Sequence, residues 1–375
     1  MNHRLKCVAG LAACLAAQSV PVGAHAADSV DKGAAPSGNV TVIGRFPDAQ
    51  PSGIAVLPDG RLVLGFPRSA HDHAGPRLAV FGNGHLTPFP DAAQQAGFVS
   101  PLGMTVDAHG TLWVLDEGLL ADKGTVPGAA RLFAIDPKTN RVTRTIALEA
   151  PALRPDSHPN DVRVDVTHGA SGTAFITDSS QTTHPALIVV DLATGHQRRI
   201  LADAPCVMPK PGFLAVLDGR ASRYDADHPT MAQAGANGIG LSADQTTLFW
   251  QPLTSRELYA APTATLADPK ASDAQILASV HDEGEAGMGD GEATAPDGTL
   301  YLTDIERHGI LARHPDGSIS VVAHDPRLVA PDGLTYAHGA LYGTVGQWSR
   351  LPVFNGGHDL EERPWIVVRI TLPRP

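Results

Sequence analysis

Short apolar runs separated by turn residues recur along the whole chain. One pattern is repeated: a small polar residue, an apolar strand, a turn with Asp or Gly, and a second apolar strand. The copies lie at 51–66, 101–118, 159–179, 236–253, 289–306 and 331–347. Two further strand-like runs usually follow each copy, such as "ALIVVDL" and "HQRRIL" after the third. Four short strands per repeat are typical of a propeller blade.

The apolar runs, such as "LIVV" and "TLYL", are nearly continuous rather than alternating. This indicates strands buried on both faces, as in blades that pack face to face. We therefore predict an all-β fold, a six-bladed β-propeller. The run 39–46 precedes the first repeat and the run 365–372 follows the last. We expect these two to pair in the last blade and close the ring. The insert 204–235 is predicted to be a loop with short structure.

The N-terminus has the order of a cleaved secretory signal. Arg4 and Lys6 precede an apolar run at 7–17, and the small-x-small sequence "AHA" follows at 24–26. We predict a signal peptide at 1–26, a flexible segment at 27–38 and one propeller at 39–375, in a secreted or periplasmic protein. Cys14, which follows "LAA", leaves lipoprotein anchoring as the alternative. No transmembrane segment is predicted, because the apolar runs are too short.

Charge and cysteine content narrow the possible partners. The chain carries a formal net charge of −11, and without residues 1–26 it has 26 basic against 39 acidic residues, or −13. An acidic chain without a basic cluster is not expected to bind nucleic acid. Cys206 is the one cysteine outside the predicted signal, so no internal disulfide and no cysteine zinc site is expected. We expect a monomer that binds a small molecule.

The residues that begin the first strand of each repeat point to a candidate site. These axial residues are Ser52, Leu102, Asn160, Asn237, Asp290 and Asp332. The innermost strands of a propeller line its axis, so we expect these positions to converge. Asn160, Asn237, Asp290 and Asp332 are the candidate ligand-binding residues, and the first three are candidate ligands of Ca²⁺, which prefers oxygen donors. The alternative is that the Asp-Gly and Asn-Gly pairs only form turns.

Two further residues are candidates for catalysis. Glu292 lies within an inner strand, where the other repeats carry Ile54, Met104, Val162, Ile239 and Leu334. A carboxylate at an apolar position is costly unless paired, and burial would raise its pKa toward that of a general base. Glu292 could equally face water in the channel or bind an Arg. His158, two residues before Asn160, is expected near the channel mouth, where it could accept a proton.

A second series of acids ends the second strand of three repeats. Asp116, Asp178 and Asp304 are predicted to accept hydrogen bonds from backbone amides of the adjoining turns rather than to form a site. Glu117 and Glu306 lie nearby and are predicted to be surface residues. No P-loop, G-x-G-x-x-G, G-x-S-x-G or H-E-x-x-H motif is present in the sequence.

Three stretches, at 158–195, 238–263 and 289–310, resemble the Yellow/major royal jelly protein family. The resemblance covers roughly residues 40–372 and implies a six-bladed, usually secreted propeller. Members of that family are linked to dopachrome conversion or bind biogenic amines in the channel. The blades are similar, more distantly, to gluconolactonase/regucalcin-type propellers, which hold a divalent cation at the axis. Ser52 and Leu102 depart from that acidic ligand pattern.

Two classes of function follow. The first is an exported protein that binds a small ligand, such as an aromatic or cationic molecule, in its acidic channel. The alternative is a Ca²⁺-dependent lactonase or esterase, in which the cation polarises a carbonyl group and a channel residue activates water. If the chain is an enzyme, a dopachrome-conversion-like activity is the further option that the resemblance implies. An interaction scaffold that uses one propeller face is the third class.

Overall fold

Six four-stranded antiparallel sheets surround a central channel in the computed structural model, which describes residues 35–121, 123–180 and 184–372. The inner strands of neighbouring sheets contact each other around the complete ring. The predicted six-bladed all-β propeller is therefore confirmed. The predicted signal peptide at 1–26, residues 27–34 of the predicted flexible segment, and residues 373–375 lie outside the described residues.

The strands are numbered in chain order, beginning with β1 (Asn39–Phe46). Blade 1 consists of β2 (Ile54–Val56), β3 (Leu62–Gly65), β4 (Leu78–Gly82) and β5 (His85–Pro88). Blade 2 consists of β6 (Pro101–Val106), β7 (Leu112–Asp116), β10 (Arg131–Asp136) and β11 (Arg141–Ala147), with the hairpin β8 (Leu119–Leu120) and β9 (Gly124–Thr125) between β7 and β10. Blade 3 consists of β12 (Pro159–Asp165), β13 (Thr173–Asp178), β14 (Ala186–Asp191) and β15 (Gln197–Ile200).

The remaining elements complete the ring. The hairpin β16 (Ala215–Leu217) and β17 (Arg220–Ser222) is followed by blade 4, which consists of β18 (Ala236–Leu241), β19 (Thr247–Pro252), β20 (Glu257–Pro262) and β21 (His281–Glu285). Blade 5 consists of β22 (Glu292–Thr294), β23 (Leu300–Asp304), β24 (Gly309–Arg313) and β25 (Ile319–His324). Blade 6 consists of β26 (Pro331–Ala337), β27 (Ala340–Val345) and β28 (Trp365–Thr371), and β1 is its outermost strand. Helices α1 (Thr263–Ala267) and α2 (Asp273–Ala278) connect β20 to β21. Among the described residues, no helix is long and apolar enough to cross a membrane.

The first strand of the chain closes the last blade. β1 pairs antiparallel with β28, from Asn39 opposite Thr371 to Phe46 opposite Trp365. β28 pairs in turn with β27. The predicted joining of both ends in one blade is thus confirmed, and it protects the outer edge of β28. The insert 204–235, predicted as a loop with short structure, contains the hairpin β16–β17.

Apolar side chains fill the spaces between neighbouring blades. The strands of blades 2 and 3 share Leu132, Ile176 and Val190, all with no exposed surface. Each fully buried side chain of this kind contributes about 1.5–3 kcal/mol. The cluster between blades 4 and 5 is the smallest of these: four buried residues form it, Leu258, Ala286, Leu300 and Leu302.

Glycines allow the inner strands to approach each other closely. The residue after the axial residue is glycine in five blades: Gly53, Gly103, Gly238, Gly291 and Gly333. A Cβ atom on Gly53 would lie 2.0 Å from the carbonyl oxygen of Leu102 in the next blade, and one on Gly333 would lie 2.2 Å from that of Ser52. No larger residue fits there without moving a strand. Blade 3 is the exception and carries Asp161.

We expect Gly53→Ala to destabilise the protein by roughly 3 kcal/mol, because overpacking against backbone cannot be relieved by a side-chain rotation. Gly97→Ala is the matched control, since nothing lies within 4 Å of the added Cβ atom. Its expected effect is within about 0.5 kcal/mol. Urea unfolding followed by circular dichroism measures both. Equal stability of the two variants would contradict the close-approach argument.

Candidate functional site

The six axial residues lie around one cavity at the mouth of the channel, with a volume of about 500 Å³. The register of the inner strand shifts beside the axial residue in blades 2, 3, 4 and 6, for example between Pro159 and Val162. Such irregularities redirect side chains from the sheet face. The repeat alignment therefore identified positions that share a cavity. Five of the six axial residues are polar: Ser52, Asn160, Asn237, Asp290 and Asp332.

Much of the remaining cavity wall is apolar, and part of it comes from segments outside the blades. The apolar lining includes Leu119, Leu120, Ala232, Ala234, Trp348, Leu351, Val353 and Phe354. Phe213 and Met231 of the insert lie in one buried cluster with Leu253, against which Trp348 and Phe354 pack. Asp218, at the tip of the β16–β17 hairpin, binds Arg350 with an Oδ1–Nη2 distance of 3.1 Å. The insert and the segment after β27 are therefore joined beside the cavity.

Asp290 and Asp332 form an acidic pair in this cavity. Burial raises the pKa of Asp290 well above its ordinary value, and the negative charge of Asp332 raises it further. Burial also raises the pKa of Asp332, to about 6, although the hydroxyl group of Ser52 opposes this shift. That hydroxyl group donates to Asp332 Oδ2 over 2.5 Å. A positive charge placed between the two carboxyl groups would favour the ionised form of both.

Another polar atom of the cavity lacks a partner. Asn237 Oδ1 is buried without a hydrogen bond to any described residue. The side chains of Trp348 and Asn237 lie near enough to Asp290 to oppose the rise in its pKa, so the indole N–H of Trp348 is directed at that carboxyl group. Buried polar atoms in proteins are nearly always paired. The cavity therefore offers one free acceptor beside its acidic pair.

The predicted metal ligands Asn160, Asn237 and Asp290 offer the oxygen atoms that Ca²⁺ accepts. The unpartnered Oδ1 atom of Asn237 fits such a role. Across 35–121, 123–180 and 184–372, however, no group of three His, Cys, Asp or Glu side chains is arranged to hold a metal ion. A cation in this cavity would therefore need amide oxygens and water besides the carboxyl group of Asp290.

His158 lies in the cavity wall and is held by a buried carboxylate. Its Nε2 atom lies 2.8 Å from Glu117 Oε2, and Ser100 Oγ donates to Glu117 Oε1 over 2.6 Å. Glu117 is 1% exposed, so the prediction that it is a surface residue is wrong. Burial alone would lower the pKa of His158, but Glu117 and Asp178 together raise it above its ordinary value. The Nδ1 atom of His158 lies 3.1 Å from Ser179 Oγ.

Two of the three acids that end second strands bind backbone amides, as predicted. The N–H donors are those of Val99, Ser100 and Gly118 for Asp116, and those of His158 and Ser180 for Asp178. These carboxylates hold the segments that lead into the inner strands. Asp304 instead pairs with Arg307 over 2.8 Å. Glu306 was predicted to be solvated, but its side chain is 8% exposed and binds Arg256 over 2.6 Å.

Glu292 does not line the cavity that contains His158. It lies in the wall of a second cavity, is 0% exposed, and neither carboxyl oxygen has a hydrogen-bond partner among the described residues. Burial raises the pKa of Glu292 to about 8, and the charge of Arg163 opposes this shift only in part. The two predicted catalytic residues, His158 and Glu292, therefore line different cavities.

The narrow part of the channel lies between these two cavities. Arg163 reaches across it from β12: its Nη1 atom donates to Asp161 Oδ2 over 3.0 Å, and its Nη2 atom donates to the carbonyl oxygen of Glu292 over 2.5 Å. Arg163 is 9% exposed. The free space next to Arg163, beside Gly53, Asp161 and Gly333, is about 20 Å³, which is about the size of one water molecule.

The family profile described as "Major royal jelly protein" matches residues 99–348. The chain belongs to the major royal jelly protein family. The match covers blades 2 to 5 and reaches β26 and β27 of blade 6, and so includes all the axial residues except Ser52. No curated protein matches this family member significantly.

Solved propellers share the fold of this major royal jelly protein family member. They include a gluconolactonase from Xanthomonas campestris (14% identity, 90% of each chain covered, TM-score 0.52). A putative gluconolactonase is 13% identical, with 92% of this chain and 94% of that chain covered and a TM-score of 0.53. A luciferin-regenerating enzyme is 10% identical, with 90% and 95% covered and a TM-score of 0.53. At these identities the likeness shows the fold alone.

Sequence reasoning missed three features of the site. Trp348 was not singled out because it lies after the last repeat, where no aligned position marks it. Glu117 follows Asp116, which was correctly predicted to accept hydrogen bonds from backbone amides, but nothing in the sequence indicates that Glu117 itself is buried. Asp161 carried a signal that was available, because it replaces the glycine that follows the axial residue in every other blade.

The pH dependence of stability tests whether Glu292 is protonated in the folded protein. The pKa of Glu292 is about 8 in the folded protein, compared with an ordinary value of 4.5 in the unfolded chain. Between these two pH values the folded state therefore holds a proton that the unfolded state lacks. Stability must therefore fall as pH rises across this interval. We expect Glu292→Gln to match the wild type near pH 4.5 and to be more stable by about 4 kcal/mol at pH 9.

Urea unfolding at a series of pH values measures this difference. Asp316→Asn, in an exposed turn, is the matched control and should leave the pH profile unchanged. Parallel profiles of the wild type and Glu292→Gln would show that Glu292 is ionised in the folded protein.

Proposed function

We propose that this chain is an exported, monomeric protein that binds a small organic cation with an apolar part in the cavity at the channel mouth. The observation that carries the proposal is the acidic pair Asp290 and Asp332 in a cavity whose remaining wall is largely apolar. Export rests on the predicted signal peptide. The likeness to the major royal jelly protein family agrees with a channel ligand.

Charge supports a cation as the ligand. Burial and the charge of Asp332 raise the pKa of Asp290, and burial raises the pKa of Asp332, so both carboxyl groups are costly to ionise. An ammonium group would offset the charge of both and could donate to Asn237 Oδ1, which has no partner among the described residues. The net charge of the chain, −11, also favours the approach of a cation.

The apolar wall supports an aromatic or aliphatic part next to that charge. Trp348 lies beside Asp290, and its ring packs on Phe354 with centroids 5.9 Å apart. A tryptophan face attracts cations, and the effect is stronger where water is excluded. A volume of about 500 Å³ is within the range of small-molecule pockets. An aromatic amine fits this combination of charge, ring and size.

Tryptamine is a suitable probe, and tryptophol, which has a hydroxyl group in place of the amine, is its neutral match. We expect tryptamine to bind more tightly than tryptophol in calorimetric titrations. Asp290→Asn and Trp348→Ala should each weaken tryptamine binding by about tenfold or more, or 1.4 kcal/mol. Affinity should fall below about pH 6, because Asp332 then takes up a proton.

Asp316→Asn serves as the control, since it removes one carboxylate from an exposed turn. Equal affinity for tryptophol and tryptamine, or unchanged binding in Asp290→Asn, would contradict recognition of a cation by the acidic pair.

The second candidate is a Ca²⁺-dependent lactonase or esterase, and the specific observation in its favour is the His158–Glu117 pair in the cavity wall. Asn160, Asn237 and Asp290 would hold the cation, which when bound would polarise a carbonyl group. His158 would accept a proton from the attacking water, the ester C–O bond would break, and the proton would pass to the leaving oxygen. To act in this way, His158 must release its contact with Ser179.

Differential scanning fluorimetry with Ca²⁺ and with a chelator tests this second candidate. If the cation binds, Ca²⁺ should raise the melting temperature of the wild type but not of an Asn160→Ala, Asp290→Ala double variant. Hydrolysis of small lactones and of p-nitrophenyl acetate should then fall at least a hundredfold in His158→Ala. No thermal shift and no hydrolysis by the wild type would exclude the hydrolase while leaving tryptamine binding open.

A further inference from the structure

A second cavity, of about 240 Å³, lies at the opposite end of the channel from the acidic pair. The first cavity is lined by residues at the start of the inner strands, whereas the second is lined by residues further along the same strands. One from each blade is Val56, Met104, Val164, Leu241, Ala293 and Leu334. All six blades therefore contribute to its wall.

The two cavities are separate compartments. Arg163 crosses the channel between them, and the close approach of the inner strands at Gly53 and Gly333 narrows it further. The space left at this level, about 20 Å³, admits no more than a water molecule. A solute in the lower cavity must enter from the lower face and does not compete with a ligand at the acidic pair.

The lower cavity contains polar atoms without partners. Both carboxyl oxygens of Glu292 and the Oγ1 atom of Thr294 are buried and make no hydrogen bond within the described residues. The two residues lie two positions apart on β22 and so share a face. At the position of Glu292, the other five blades carry apolar residues. Buried groups of this kind are rarely left unpaired, which points to a partner that is not part of the chain.

The strand that faces Glu292 leaves room for its carboxyl group. A Cβ atom on Gly240 would lie 2.7 Å from Glu292 Oε2, and one on Gly238 would lie 3.1 Å from Oε1. Side chains at these two positions would therefore collide with the carboxyl group or press on it. Gly238 and Gly240 of β18 thus leave the space that the carboxyl group of Glu292 on β22 occupies. Such a fit between two strands is expected of a binding site rather than of an isolated polar substitution.

We propose that the lower cavity is a second binding site, which takes a small neutral polyhydroxylated molecule of about monosaccharide size through Glu292, Thr294 and Arg163. Hydroxyl groups both donate and accept, so they can satisfy a carboxyl group and a threonine hydroxyl together. A neutral ligand fits because the charged groups already have partners: Arg163 pairs with Asp161, and Asp107 accepts the indole N–H of Trp113 at 2.8 Å and the backbone N–H groups of His109 and Thr111. This proposal is independent of the one for the upper cavity.

Ligand-observed NMR and calorimetry on the purified protein, with D-glucose and myo-inositol as probes, test the proposal. We expect saturable binding of at least one probe to the wild type. Glu292→Leu, which gives this blade the apolar residue of the others, should weaken it tenfold or more, and Thr294→Val should weaken it less. Glu292→Gln should stay within about threefold of the wild type, because an amide also donates and accepts. Asp290→Asn, in the upper cavity, should have no effect.

Absence of saturable binding of both probes to the wild type would overturn the proposal. Equal binding by the wild type and Glu292→Leu would overturn it too, and so would loss of binding in Asp290→Asn, which would assign the ligand to the upper cavity. Thermal unfolding of each variant identifies any change in folding. If Glu292→Leu does not fold, the other two variants still test the proposal. Unchanged probe binding by Thr294→Val together with loss of probe binding by Asp290→Asn would show that the probe does not bind in the lower cavity.

Discussion

Contact between the backbones of neighbouring inner strands is the constraint on which the rest of the structure depends. Gly53, Gly291 and Gly333 each leave room for a carbonyl oxygen of the next blade that would lie 2.0–2.2 Å from a Cβ atom. The blades therefore meet closely at the axis, where Arg163 also crosses the channel, and little free space is left between the two cavities.

The same narrowing decides how the acids of the chain behave. Carboxyl groups near the axis lose water, and burial is the largest cause of the raised pKa of Asp290, Glu292 and Asp332. Burial also raises the pKa of Asp116, to about 6, although three backbone N–H groups oppose this shift. Asp116 and Asp178 accept backbone N–H groups of Ser100 and His158, and so hold the segments that lead into β6 and β12. One set of carboxylates thus supports the inner strands, and another lines the cavities.

The repeat made the fold and half of the upper cavity predictable from sequence. Six copies of one strand pair fixed the number of blades, and the alignment identified Asn160, Asn237, Asp290 and Asp332 as residues of one cavity. Residues outside the repeat could not be placed, because nothing aligned them with the axis. Trp348 is the clearest case. The pairing of His158 with Glu117 was equally beyond reach, since it joins two blades through side chains whose burial depends on the assembled ring.

The two halves of the upper cavity therefore have different origins. The polar half comes from equivalent positions in the blades and follows from the propeller itself. The apolar half comes partly from the insert before β18 and the segment after β27, which are joined by Asp218 and Arg350. Such connecting segments vary more readily than strands, because they carry fewer of the packing contacts that hold the ring together. Propellers that share the blades can thus present the same charge at the axis beside differently shaped walls. This is why likeness in fold to gluconolactonases and to a luciferin-regenerating enzyme, at 10–14% identity, does not carry their substrates to this chain.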